Sequence, residues 1–129
     1  MVKTPKLYFT DTGLLCHLLG ISSPEELILS KYRGVVVETF AVAELAKKRT
    51  NQGKSQNLAF YRDSSGLEMD VVVDWKHSFS VEVKSTSEPE RKLAAGAKKY
   101  LALRGDENFK CKVFYLGDLT CEINGIQYV

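Results

Sequence analysis

The run GLEMDVVVDWKHSFSVEVKS, residues 66–85, restricts the fold of this chain more than any other stretch. Residues 67–73 and 79–84 are short, rich in valine and separated by the turn-like Trp75, Lys76, His77 and Ser78, which is the pattern of two paired β-strands. The second strand alternates strictly, whereas the first is polar only at Glu68 and Asp70. Placing Met69, Val71 and Val73 on the same side as Phe79, Val81 and Val83 requires Val71 opposite Val81, because a one-residue slip turns one set over. That register sets Asp70 across from Glu82. Cross-strand partners have Cβ atoms about 4.5–5.5 Å apart and like charges there repel, so the two carboxylates call for a cation. Lys84 supplies one charge. A divalent ion would supply more, and hard oxygen ligands suit Mg²⁺ or Mn²⁺, which take one or two protein carboxylates and fill their other positions with water and phosphate oxygens. The competing reading is an outer hairpin face on which Glu68, Asp70, Glu82 and Lys84 are solvated and paired with one another.

At 129 residues the chain suits one domain, 1–129, with 1–30 as a helical extension. Its 44% hydrophobic and 26% charged content is ordinary for a folded domain. A net charge of +2 does not by itself imply a nucleic-acid partner, although Lys47, Lys48, Arg49 and Lys54, and again Lys98, Lys99, Arg104, Lys110 and Lys112, are locally concentrated. Cys16, Cys111 and Cys121 have neither disulfide-framework nor zinc spacing, which is the usage expected in a reducing cytoplasm. His17 and His77 read as structural or solvent-facing. No apolar run reaches the length of a membrane span, so no membrane partner is expected.

In chain order, residues 6–9 read as a short strand, and Asp11 as the cap of a helix over 12–19 that Gly20 ends. Ser23, Pro24 and Glu26 have the form of a capping box opening a second short helix. Residues 32–49 form the longest helix, so dense in apolar positions that most of its circumference needs cover. On it, Glu44 has Lys47 and Lys48 in reach as ion-pair partners, whereas Glu38 stands among Val35, Ala41 and Val42, where a carboxylate is costly unless paired or bound to a cation. Gly53-Lys54-Ser55 lacks the earlier glycine and the preceding strand of a phosphate loop, so no nucleotide site is expected. Strands follow at 58–62 and in the central hairpin, then a helix over 90–103, a strand over 112–116 and a closing hairpin around Asn124-Gly125. From residue 32 the order is helix, three strands, helix, strand: an α/β fold with a mixed sheet flanked by helices.

With an acid on the first helix (Glu38), Asp70 on the second strand and Glu82-Val83-Lys84 on the third, the chain resembles the PD-(D/E)xK nuclease superfamily, whose α-β-β-β-α-β core is the restriction-endonuclease-like fold. More narrowly, LYFTDTGLLCHLLGI at 7–21, GVVVETFAVAEL at 34–45, FYRDSSGLEMDVVV at 60–73 and VEVKS at 81–85 resemble the C-terminal domain of unknown function of prokaryotic AAA-like P-loop ATPases. The resemblance implies that Asp70 and Glu82 hold a Mg²⁺ or Mn²⁺ ion with the Val83 carbonyl, that Glu38 contributes to the metal site from the helix, and that Lys84 orients water or offsets developing charge during phosphodiester hydrolysis. It also implies an ATPase domain preceding this fragment and nucleic acid as a partner. Two positions depart from the pattern. Met69 stands where the superfamily often has Pro, and Gly96 stands where some branches have the Gln of Gln-x-x-x-Tyr before Tyr100. The expected function is a metal-dependent nuclease domain; the alternatives are a non-catalytic module binding nucleic acid or protein for the ATPase, and an architectural Lys84 bridge between Asp70 and Glu82.

Overall fold

A computed structural model describes residues 4–89 and 91–129. The chain divides into two compact units, a helical one spanning Leu7–Gln56 and a sheet unit comprising Asn57–Val129 with the segment up to Lys6. Each is built by recognisable local chemistry.

In the helical unit, helix α1 (Thr12–Leu18) starts at Asp11, whose carboxylate accepts the Leu14 N–H at 2.9 Å. Helix α2 (Pro24–Leu29) starts at Ser23, whose hydroxyl accepts the Glu26 N–H at 3.2 Å, with Pro24 in the first turn. Glu26 reaches back one residue further than a capping box requires and accepts from the N–H and hydroxyl of Ser22. Helix α3 (Arg33–Thr50) buries Val36, Thr39, Ala41, Ala43 and Leu45. Val35 and Phe40 remain more than half exposed, so the cover expected around most of this helix is confined to a stripe of mostly small residues. Lys47, Lys48 and Arg49 occupy its last turn, where cations face the negative end of the helix dipole. Lys47 also meets Glu44 at 3.0 Å, the expected exposed ion pair.

Residues 6–9 do not form the expected strand. Leu7 is almost fully exposed, while Lys6 and Tyr8 turn to carboxylates, Lys6 to Glu68 and Tyr8 to Glu38. The alternation that reads as a strand is here an alternation between apolar residues at the surface and polar residues engaged with acids.

The sheet unit contains strands β1 (Leu58–Arg62), β2 (Glu68–Val73), β3 (Phe79–Val83), β4 (Lys110–Phe114), β5 (Cys121–Ile123) and β6 (Ile126–Tyr128), ordered β1-β2-β3-β4-β6-β5. The β3–β4 and β4–β6 pairs are parallel and the others antiparallel, giving the expected mixed α/β sheet. The β1–β2 turn is shaped by Asp63, whose carboxylate accepts from the N–H groups of Ser65 and Leu67. Between β3 and β4 a 3-10 turn (Arg91–Ala94) leads into helix α4 (Ala95–Arg104); the expected start at Glu90 lies outside the described residues. Ala97 and Tyr100 of α4 pack with Phe109, Cys111, Val113, Ile126 and Tyr128 as the core of this unit.

Val71 pairs with Val81 as the alternation requires. One departure matters for the site. Along β1, Ala59 pairs with Val72 and Tyr61 with Met69, so Phe60 alone spans Asp70 and Val71 and β2 carries a β-bulge there. The bulge reverses parity, and Met69, expected beside Val71 and Val73, instead joins the core packed against α4.

At the closing hairpin Asn124 and Gly125 both have positive φ, 54° and 77°, as a two-residue hairpin turn demands. Gly125→Ala places a Cβ in the left-handed region and is expected to lower unfolding free energy by about 1–2 kcal/mol, whereas Asn124→Gly should change it little. Urea unfolding of both variants checks this.

Candidate functional site

Asp70 owes its position to the bulge. Its Oδ2 accepts the Val83 N–H from the neighbouring strand at 2.8 Å, so the side chain is tied across the β2–β3 ladder. The β2–β3 pairing runs from Val73–Phe79 to Val71–Val81, with Asp70 and Glu82 the next residues on the two strands. Both carboxylates are largely enclosed, with side chains 17% and 12% exposed.

Glu82 lies against the beginning of α4. A Cβ added at Gly96 would sit 3.6 Å from Glu82 Oε2 and 3.7 Å from the Glu68 carbonyl, ordinary contact distances, so this turn of the helix lies directly against the carboxylate. Lys84, two residues on, brings its ammonium to 2.6 Å from Glu82 Oε1. Oε2 is buried without a hydrogen-bond partner among the described residues. Burial pushes the Glu82 carboxyl above its ordinary value, and the Asp70 charge adds to the shift; Lys84 and, weakly, the Ala97 amide pull it back.

A second cluster adjoins the first. Arg62 grips Glu68 through both nitrogens, at 2.9 and 3.2 Å, and Lys6 approaches the same carboxylate at 2.8 Å. Hydrogen bonds from Arg62 and then Lys6 hold Glu68 below its usual value. Lys6 also stands 3.6 Å from Asp70 Oδ1 and 5.6 Å from the centre of the Phe60 ring. Among the described residues, three carboxylates, Glu68, Asp70 and Glu82, lie beside Lys6, Arg62 and Lys84.

Asp70, Glu82, Val83 and Lys84 thus lie together on β2, β3 and the residue after β3. Glu38 sits half-buried on α3 of the helical unit, where it accepts a hydrogen bond from the Tyr8 hydroxyl. Among the described residues, no group of three or more His, Cys, Asp and Glu side chains is gathered to hold a metal ion. The donor set in the sheet unit is two carboxylates, which is within what Mg²⁺ takes from a protein. The unpartnered Glu82 oxygen is the feature that fits such an ion, since a buried anionic oxygen without a donor is costly. His17 and His77 are exposed, and Cys16, Cys111 and Cys121 are free thiols. No helix among the described residues is long and apolar enough to cross a membrane.

Sequence reasoning missed two contributors. Lys6 carries no local signal, because its carboxylate partners lie more than sixty residues away. Gly96 was visible as a glycine within an alanine-rich helix, but its neighbour on β3 was not.

The raised Glu82 pKa has a sign that can be measured. The folded state holds this proton more tightly than the unfolded chain, so the group's contribution to stability is fully present below 4.5 and is lost as pH rises through the folded value. Glu82→Gln removes this dependence. The variant should gain on the wild type as pH is raised from 4.5 toward neutrality, and the gap should level off once wild-type Glu82 is ionised. Urea unfolding of both proteins across that range tests it; a constant gap would contradict the burial argument.

No curated protein and no solved structure matches this chain significantly. A family's sequence model does, over residues 33–129, which takes in α3, every strand of the sheet and the whole Asp70–Lys84 site. The chain belongs to the family described as the domain of unknown function DUF4143.

Proposed function

We propose that the Asp70–Glu82–Lys84 cluster is a Mg²⁺- or Mn²⁺-dependent site for hydrolysing nucleic-acid phosphodiesters, in a module that serves an attached P-loop ATPase. The observation that carries this reading is the buried, unpartnered Oε2 of Glu82 beside a second enclosed carboxylate, with an ammonium on the other oxygen. The resemblance to PD-(D/E)xK nucleases in Glu38, Asp70 and Glu82-Val83-Lys84 supports it.

On this reading Asp70, Glu82 and the Val83 carbonyl hold the ion, which when bound lowers the pKa of a water and offsets charge on the phosphate. The protein's own parts do the rest. The Val83 N–H fixes Asp70 by occupying Oδ2, so the carboxylate does not have to reorganise. Burial keeps competing water from Glu82 Oε2. Lys84 is about one-third exposed while bonded to Glu82, so its ammonium can face both the carboxylate and a phosphate approaching from solvent. A compact, strongly hydrated charge there can hold water or a non-bridging oxygen without giving up its proton.

The charge balance described above favours a second reading, in which the lysines neutralise the acids and the domain binds without cleaving. The two readings separate in one experiment. Mn²⁺ at about a hundred times its dissociation constant should stabilise the wild type by about 2.7 kcal/mol, seen as a raised thermal midpoint. Asp70→Asn should lose that shift while keeping its circular dichroism spectrum. The same variant should lose Mn²⁺-dependent cleavage of DNA or RNA oligonucleotides. If millimolar Mn²⁺ leaves the wild-type midpoint unmoved, the ion-paired reading replaces the catalytic one.

A further inference from the structure

The proposed chemistry uses neither Arg62 nor Lys6, and of the two it is Lys6 that approaches Asp70. Its ammonium lies between Glu68 Oε1, at 2.8 Å, and Asp70 Oδ1, at 3.6 Å, and its side chain is only 19% exposed. Glu68 does not depend on it for neutralisation, because Arg62 already meets that carboxylate through two nitrogens. At Asp70, by contrast, Val83 takes Oδ2, and Oδ1 is the oxygen turned toward Lys6.

The backbone around Lys6 has no regular structure, whereas Asp70, Glu82 and Lys84 stand on or immediately beside paired strands. We propose that Lys6 is an intramolecular competitor for the metal: its ammonium occupies the cationic place at Asp70, and a divalent ion binds there only as Lys6 withdraws.

The physics is one of like charges. An ammonium and a divalent ion a few ångströms apart in a partly enclosed site repel more strongly than two unit charges would, so both do not share one carboxylate oxygen without cost. Lys84 differs in kind. It rides on the residue next to β3 and pairs with Glu82 Oε1, away from the unpartnered Oε2. Lys6 belongs to none of the described strands, so its withdrawal breaks no pairing between them. The inference rests on the metal reading given under Proposed function, and its test is chosen to fail separately from it.

Isothermal titration with Mn²⁺ alone should show Lys6→Met, which keeps an apolar stem over Phe60, binding on the order of tenfold more tightly than the wild type. Lys6→Arg, which restores the charge, should return near the wild-type affinity. A purely structural lysine would not give that pattern. In the unmodified protein, added Mn²⁺ should increase acetylation of Lys6 by an amine-reactive reagent, read by mass spectrometry, while exposed Lys76 serves as the internal reference. Mn²⁺ binding with equal affinity to wild type and Lys6→Met, or without any change in Lys6 labelling, overturns the competitor role and leaves the metal site standing. Absence of binding to all three proteins overturns the metal reading, and the competitor role with it.

Discussion

The hydrogen bond from the Val83 N–H to Asp70 Oδ2 is the interaction on which the site depends. In a regular ladder a strand amide is satisfied by a neighbouring carbonyl, and the aspartate beside it is free to point at solvent. Here Phe60 spans two residues of β2, the ladder loses its regular step at Asp70, and the side chain takes up an amide of β3. The bulge therefore does two things at once. It turns Met69 into the core packed against α4, and it holds a carboxylate beside Glu82, where electrostatic repulsion alone would drive it away.

Glu82 shows the cost of that arrangement. Its neighbours are the first turn of α4, the Glu68 carbonyl and the Asp70 charge, and only the helix end and Lys84 favour its ionised form. Replacing both charges of a partly buried pair by apolar groups is often neutral or stabilising, so stability alone gives little reason to keep such a group. A fold that keeps two crowded carboxylates, leaves one oxygen unpartnered and places a glycine where a side chain would fit has spent stability locally. Titratable groups held this way cluster at functional sites. Gly96 matters to that view because the first turn of α4 lies directly against the Glu82 carboxylate at this position.

The β2–β3 register was legible because it follows from a period of two and from the need to bury valines; Val71 opposite Val81 required no knowledge of the rest of the chain. The caps at Asp11 and Ser23 and the Asn124-Gly125 turn were legible for the same reason, each being local chemistry. What failed was non-local. The bulge depends on how β1 meets β2, and no alternation within 67–73 reports it. Residues 6–9 have the alternation of a strand but no ladder to join, and their polar side chains are claimed by Glu68 and Glu38. For α3 the apolar density of the sequence overstated the cover, because Val35 and Phe40 count toward hydrophobicity yet stay exposed.

The two lysines at the site illustrate why counting charges is not enough. Lys84 follows β3 directly and its N–H bonds the Phe114 carbonyl, so the sheet holds its backbone while its ammonium lies 2.6 Å from Glu82 Oε1. Lys6 meets Glu68 and Asp70 from a position that belongs to none of the described strands. Equal in formal charge, the two differ in how their backbones are held: the Lys84 backbone by a sheet hydrogen bond, and Lys6 at a position that belongs to none of the described strands. On the proposed hydrolytic reading, it is a group of the first kind that would stand beside the phosphate. A group of the second kind can be present or absent while the sheet stays folded, and that difference in attachment separates a working part of the site from a cover over it.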